Sequence, residues 1–124
     1  ICVFGCGGDR DPGKRPEMGR AATAGADTVC ITSDNPRWED ADAILSAIAV
    51  EAPGAVRIAD RAQAIAQMIA QADVADVVLL AGKGHESTQE IRGQRYPFDD
   101  AVHAQAALAA RRAAHATQSV EAAV

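Results

Sequence analysis

The 124-residue chain has no apolar run near the roughly 20 residues that a bilayer-spanning helix requires. It also lacks a charged segment leading into an apolar stretch with a small-residue cleavage site. The expectation is a domain that neither enters a membrane nor carries a signal peptide. An excess of positive charge is missing too: 12 Lys+Arg stand against 17 Asp+Glu, for a net charge of -5. A nucleic-acid or anionic-membrane partner would select a basic face, so neither is expected. Cysteine is scarce and odd in number (Cys2, Cys6 and Cys30), no two are spaced as CxxC, and the histidines lie far away in sequence. That pattern argues against a disulfide framework and against a metal site. Cys2 and Cys30 sit in apolar runs, where a small buried thiol is the ordinary role, and a reducing, cytoplasmic setting fits.

What is present is one domain's worth of chain, long enough to bury a core without staples. The hydrophobic fraction of 48% leans on alanine, which builds helices but adds little transfer free energy, so Val, Ile and Leu must supply the core. The chain opens directly on the strand-like run Ile1 to Phe4, which reads as an excised or cleaved domain. Short apolar runs then alternate with helical patterns. Pro16 to Gly25 reads as a helix with proline in the tolerated first turn, and Thr28 to Thr32 as a β-branched strand. Ile44, Leu45 and Ile48 recur at helical spacing within 39–50. Val56 to Ile58 reads as a strand and Asp60 as the N-cap of a helix that places Ile65, Met68, Ile69 and Ala72 on one face. Asp76 to Ala81 is the most apolar strand and is expected at the sheet centre. Gln89 to Tyr96 around Gly93 reads as a small hairpin, and Asp99 caps a last helix through about Arg112. Residues 1–112 form the expected domain and 113–124 an Ala-rich tail or linker.

Strands separated by helices of about ten residues predict an α/β fold with a doubly wound, Rossmann-like, mostly parallel sheet and a small antiparallel hairpin. Ligands of such sheets sit beyond the carboxyl ends of the strands. Three polar loops leave strands at that edge. The first, Gly5 to Arg15, nearly spells the phosphate-binding pattern from Gly8, but Arg15 replaces the magnesium-holding hydroxyl and Pro12 removes an amide donor. It reads as a P-loop, as a glycine turn with solvated charges, or as a loop presenting Arg10 and Lys14 to an anion. The second, Asp34-Asn35-Pro36-Arg37, is a rigid turn that suits an amino acid: Arg37 grips a carboxylate with two parallel hydrogen bonds, and Asp34 orients it or meets an ammonium. Its plainer reading is an Asx-Pro turn before a helix. The third, Gly82-Lys83-Gly84-His85-Glu86, crowds titratable groups beside two glycines that let a backbone approach a ligand, or is simply an exposed glycine turn. His103 and His115 lie on helical stretches and read as surface residues.

Taken in order, Gly5 to Pro16 (GCGGDRDPGKRP), Asp34 to Arg37 (DNPR) and Gly82 to Glu86 (GKGHE) resemble the C-terminal domain of the Mur ligases over roughly 1–112. The likeness is to the members that add meso-diaminopimelate to UDP-N-acetylmuramoyl-L-alanyl-D-glutamate in bacterial peptidoglycan synthesis. It implies that Arg10, Asp34, Asn35, Pro36, Arg37, Gly82 and Glu86 hold the incoming diaminopimelate, and that Asp9 and Lys14 approach the nucleotide. It also implies ATP and Mg2+, an acyl-phosphate reaction, and a nucleotide P-loop on a central domain outside this chain, so that the isolated chain is inactive. The alternatives are a free-standing nucleotide-binding α/β module using the near-P-loop, and an α/β interaction domain without a ligand.

Overall fold

A computed structural model describes residues 1–123. The elements run β1 (Cys2–Phe4), α1 (Lys14–Gly25), β2 (Val29–Ile31), α2 (Ala41–Ala49), β3 (Val56–Arg57), α3 (Arg61–Gln71), β4 (Leu79–Leu80), β5 (Thr88–Ile91), β6 (Gln94–Pro97) and α4 (Asp100–Ala122). Four strands form a parallel sheet in the order β3-β2-β1-β4, and β5 with β6 forms a separate antiparallel pair. The doubly wound α/β architecture with a small hairpin is the one observed.

The period-2 alternation of strands builds both faces of the sheet. Phe4, Val29 and Ile31 turn to one side and pack with Ile44, Leu45 and Ile48 of α2, with Met18 and Ala22 of α1 against them. Val3 and Cys30 turn to the other side and meet Ala64 and Met68 of α3. Helix α4 packs on α3. Cys30, wholly buried in this second layer, has its thiol pushed up to about 11 by desolvation. All three cysteines are free thiols, and no group of three or more metal-ligating side chains gathers among the described residues. No described helix is long and apolar enough to cross a membrane.

The helix starts follow the chemistry read from the sequence. Asp60 Oδ1 accepts from Gln63 N at 3.0 Å, and Asp99 Oδ1 accepts from Ala101 N at 2.8 Å. Helix α1 begins two residues before Pro16, which sits in the first turn, where a missing N–H costs nothing.

Two expectations change. The apolar run 76–81 is not central: only Leu79–Leu80 pair, with β1, at the sheet edge, and Val77 and Leu79 are exposed. Its Val78 and Leu80 pack on the α3 face, whereas the opposite face opens on a groove lined by Phe4, Met18, Ala22 and Leu79. Apolarity reports how much burial a strand can accept, whereas position in the sheet is decided by the crossovers around β1. The last helix also continues ten residues past Arg112. From Arg112 on, its residues are exposed; high alanine propensity carries the helix there without tertiary packing.

Candidate functional site

Because β2, β1 and β4 are neighbours, the loops that leave their carboxyl ends converge. The order 3-2-1-4 reverses direction between β1 and β4, which makes that edge the candidate ligand-binding crevice by the general rule for doubly wound sheets. The first and second loops are joined by Gly8 N to Asn35 O at 2.8 Å and by Arg37 Nη1 to Gly8 O at 2.8 Å. Trp38 N donates to Asp9 Oδ2 at 3.3 Å, and buried Arg15 pairs with Glu39. A side chain at Gly8 is impossible in this arrangement, since its Cβ would lie 1.9 Å from Pro36 O.

The hairpin clasps the second loop from the other side. Arg37 N donates to Glu90 O at 3.0 Å, and Arg92 N to Arg37 O at 2.7 Å. Asn35 Oδ1 accepts from Glu90 N at 2.9 Å, and Gln89 Nε2 donates to Asp34 O at 2.8 Å. Arg37 thereby holds a left-handed backbone with φ 54°, a conformation costing a non-glycine residue about 1–2 kcal/mol. Strain of this kind persists only where the surroundings over-determine it, and such places cluster at binding sites.

The third loop closes the arrangement from below. Gly82 adopts φ +106°, a region that side chains avoid. Lys83 is 2% exposed, and its ammonium meets Thr88 O at 2.9 Å, Asn35 Oδ1 and Asp34 Oδ1 at 3.2 Å, and Glu86 Oε2 at 3.4 Å. The contact with Asp34 is an ion pair rather than a hydrogen bond, because buried Oδ1 finds no donor in good alignment. Deeper still, Arg61 is wholly buried. It is bidentate to Asp100 at 2.7 Å and also donates to Ser33 O at 3.2 Å and Ala81 O at 3.3 Å. Those carbonyls immediately precede Asp34 and Gly82, so one guanidinium holds the roots of two loops.

The residues singled out in the sequence occupy distinct positions in this assembly. Pro36 is buried; Asp34, Asn35 and Arg37 are half-buried; Arg10, Gly82 and Glu86 are exposed. Arg10 and Arg37 flank Gly7, where an added Cβ would lie 2.8 Å from Arg37 Nη1 and 3.6 Å from Arg10 Cγ. The free surface therefore presents two guanidinium groups from the first two loops, with the carboxylate of Glu90 3.5 Å from the second. Asp9 and Lys14 are exposed on the first loop and at the start of α1. Sequence reasoning missed Arg15, Glu39, Arg61, Gln89 and Glu90. Lys83 carried a signal, being set between two glycines at a strand end, whereas the hairpin residues and Arg61 had none.

The near-P-loop does not fit a triphosphate with magnesium. Arg15, where a hydroxyl would be needed, is buried against Glu39 and Gly7 O. Three of the loop amides are already used: Gly8 N goes to Asn35 O, Gly13 N to Asp11 Oδ1 at 2.9 Å, and Arg15 N to Pro12 O.

Comparison with known proteins agrees with this fold. Residues 1–84 match the family described as Mur ligase, glutamate ligase domain. The UDP-N-acetylmuramoyl-L-alanyl-D-glutamate--2,6-diaminopimelate ligase of Ralstonia nicotianae is 59% identical over 112 residues, which are 88% of this chain and 22% of that protein. The ligase of the same name from Ectopseudomonas mendocina is 56% identical over 119 residues, 94% of this chain and 24% of its own length. A solved structure of a ligase of this name superposes with a TM-score of 0.85 at 48% identity, covering 90% of this chain and 24% of that one. The chain spans about a quarter of the length of the relatives it matches. A matched family model over more than half its length and this closely superposed fold place the chain in the Mur ligase family, as its C-terminal, glutamate ligase domain.

Proposed function

We propose that this chain is the amino-acid-recognising domain of an ATP-dependent ligase that adds meso-diaminopimelate to UDP-N-acetylmuramoyl-L-alanyl-D-glutamate in bacterial peptidoglycan synthesis. The observation that carries the reading is Arg37, held in a strained conformation by the hairpin and the first loop, with its guanidinium beside Arg10 and 3.5 Å from the Glu90 carboxylate. The names of the relatives point the same way.

Diaminopimelate carries an ammonium and a carboxylate at each end, and one end must be held while the other amine reacts. Arg37 and Arg10 suit the held carboxylate through parallel charge-assisted hydrogen bonds. Glu86, with the carbonyl of Gly82, suits the held ammonium. Asp34, Asn35 and Pro36 act mainly as the frame, since both Oδ1 atoms face inward to Lys83. Lysine lacks the distal carboxylate that Arg37 would bind, and sites built to pair with a substrate group reject analogues lacking it by factors on the order of 10⁴–10⁵.

ATP and Mg2+ belong, in this reading, to a part of the ligase outside this chain, as do the groups that hold the UDP-dipeptide. Asp9 and Lys14 reach toward the nucleotide only when the domains close, a motion of the kind that assembles many active sites. Residues 1–112 are the recognising domain and 113–124 a tail or linker, of which Val124 lies outside the described residues. The reaction takes place in the cytoplasm.

The test is a competition between meso-diaminopimelate and L-lysine as acceptors for the full-length ligase, with wild type and Arg37→Ala. Strong preference for diaminopimelate in the wild type and its loss in the variant support the assignment. Equal use of lysine by the wild type overturns the substrate.

A further inference from the structure

Lys83 is a charged side chain with 0% of its surface exposed, placed below the site rather than on it. Taking an ammonium out of water costs several kcal/mol unless its partners are well arranged. Here the partners come from three separate segments: Asp34 and Asn35 of the turn, Glu86 of the third loop, and the Thr88 carbonyl at the start of β5. Two carboxylates around one ammonium are a charge-setting arrangement.

The balance of charge at the crevice shows what is set. Asp34, Glu86 and Glu90 contribute three negative charges, and Arg10, Arg37 and Lys83 contribute three positive ones, with Glu90 lying 3.5 Å from Arg37 Nε. Without Lys83 the same crevice would hold three carboxylates against two guanidinium groups and carry a net negative charge. Such a crevice favours a bare cation and repels a carboxylate, whereas the present one accepts an ammonium and a carboxylate together. We infer that Lys83 is a positioning and specificity-determining residue: its buried ammonium aligns Glu86 and the Asp34–Asn35 turn and cancels enough negative charge for the site to prefer a zwitterionic amino-acid end over a simple amine.

This inference rests on the amino-acid reading of the site, and its test separates the two. In the full-length ligase, kcat/KM is measured for meso-diaminopimelate and for L-lysine, with wild type, Lys83→Met and Lys83→Gln. The expected result for Lys83→Met is a fall of at least tenfold in the diaminopimelate-to-lysine ratio, through a raised KM for diaminopimelate, with the KM for ATP unmoved. A purely structural lysine would lower both acceptors in parallel, and that outcome overturns the inference. Should Lys83→Met fail to accumulate as folded enzyme, Lys83→Gln keeps N–H donors for Thr88 and Asn35 while losing the charge. Its ratio must fall likewise, and an unchanged ratio overturns the inference. A selective wild type with equally selective variants removes the role of Lys83 alone, whereas an unselective wild type removes the substrate reading and this inference with it.

Discussion

Replacing Asp100 by alanine tests whether a buried ion pair holds the floor of the site. Arg61 is wholly buried and Asp100 only 9% exposed at its side chain, with two hydrogen bonds of 2.7 Å between them. The variant leaves a guanidinium in the interior with only the Ser33 and Ala81 carbonyls as partners. Removing one member of a buried pair costs about 3–5 kcal/mol. A domain of this size has a total stability of only about 5–15 kcal/mol, so the loss should lower the melting temperature by roughly 10–20 °C. Thermal and urea unfolding of the chain followed by circular dichroism reads the effect. The double variant Arg61→Met/Asp100→Leu should recover part of the loss, because no charge is then buried, but not all of it, because the Ser33 and Ala81 carbonyls still lack a donor. A cost below about 1 kcal/mol for Asp100→Ala would show that water reaches Arg61 and that the pair does not hold the loops.

Gly8→Ala should break the junction between the first two loops, since the new Cβ would lie 1.9 Å from Pro36 O; overpacking of this kind costs about 1–3 kcal/mol, read by urea unfolding, and should weaken acceptor use in the full-length ligase. Asn35→Ala strands the Glu90 amide and one Lys83 contact, with an expected cost of about 1–3 kcal/mol and faster amide exchange at Glu90. The Cys30 thiol, raised in the folded state from 9.0 to about 11 by desolvation, contributes stability that is complete below pH 9 and is lost as pH rises toward 11, at most about 3 kcal/mol. Urea midpoints of the wild type should therefore fall over that window more steeply than those of Cys30→Ala.

The alternation of apolar runs and helical periods was enough to read the layered α/β fold, and the Asp60 and Asp99 caps were legible because capping depends on neighbours in sequence. Three loops with their Gly, Pro and charged residues marked the candidate site, and they converge in the structure because loops at the carboxyl ends of neighbouring parallel strands lie side by side. What remained hidden was long-range. The apolar 76–81 run could not reveal that it lies at the edge, because sheet order depends on how helices cross over β1. The hairpin residues Gln89 and Glu90 gave no hint that they fasten Asp34, Asn35 and Arg37, some 55 residues earlier. Arg61 begins α3 with nothing in its neighbouring sequence to mark it, yet it binds Asp100 across 39 residues. Local propensity and periodicity, which act over a few residues, determined the elements and the candidate loops. Only the tertiary structure decided which charges meet in the interior, because the partners of Lys83 and Arg61 are chosen by burial rather than by spacing.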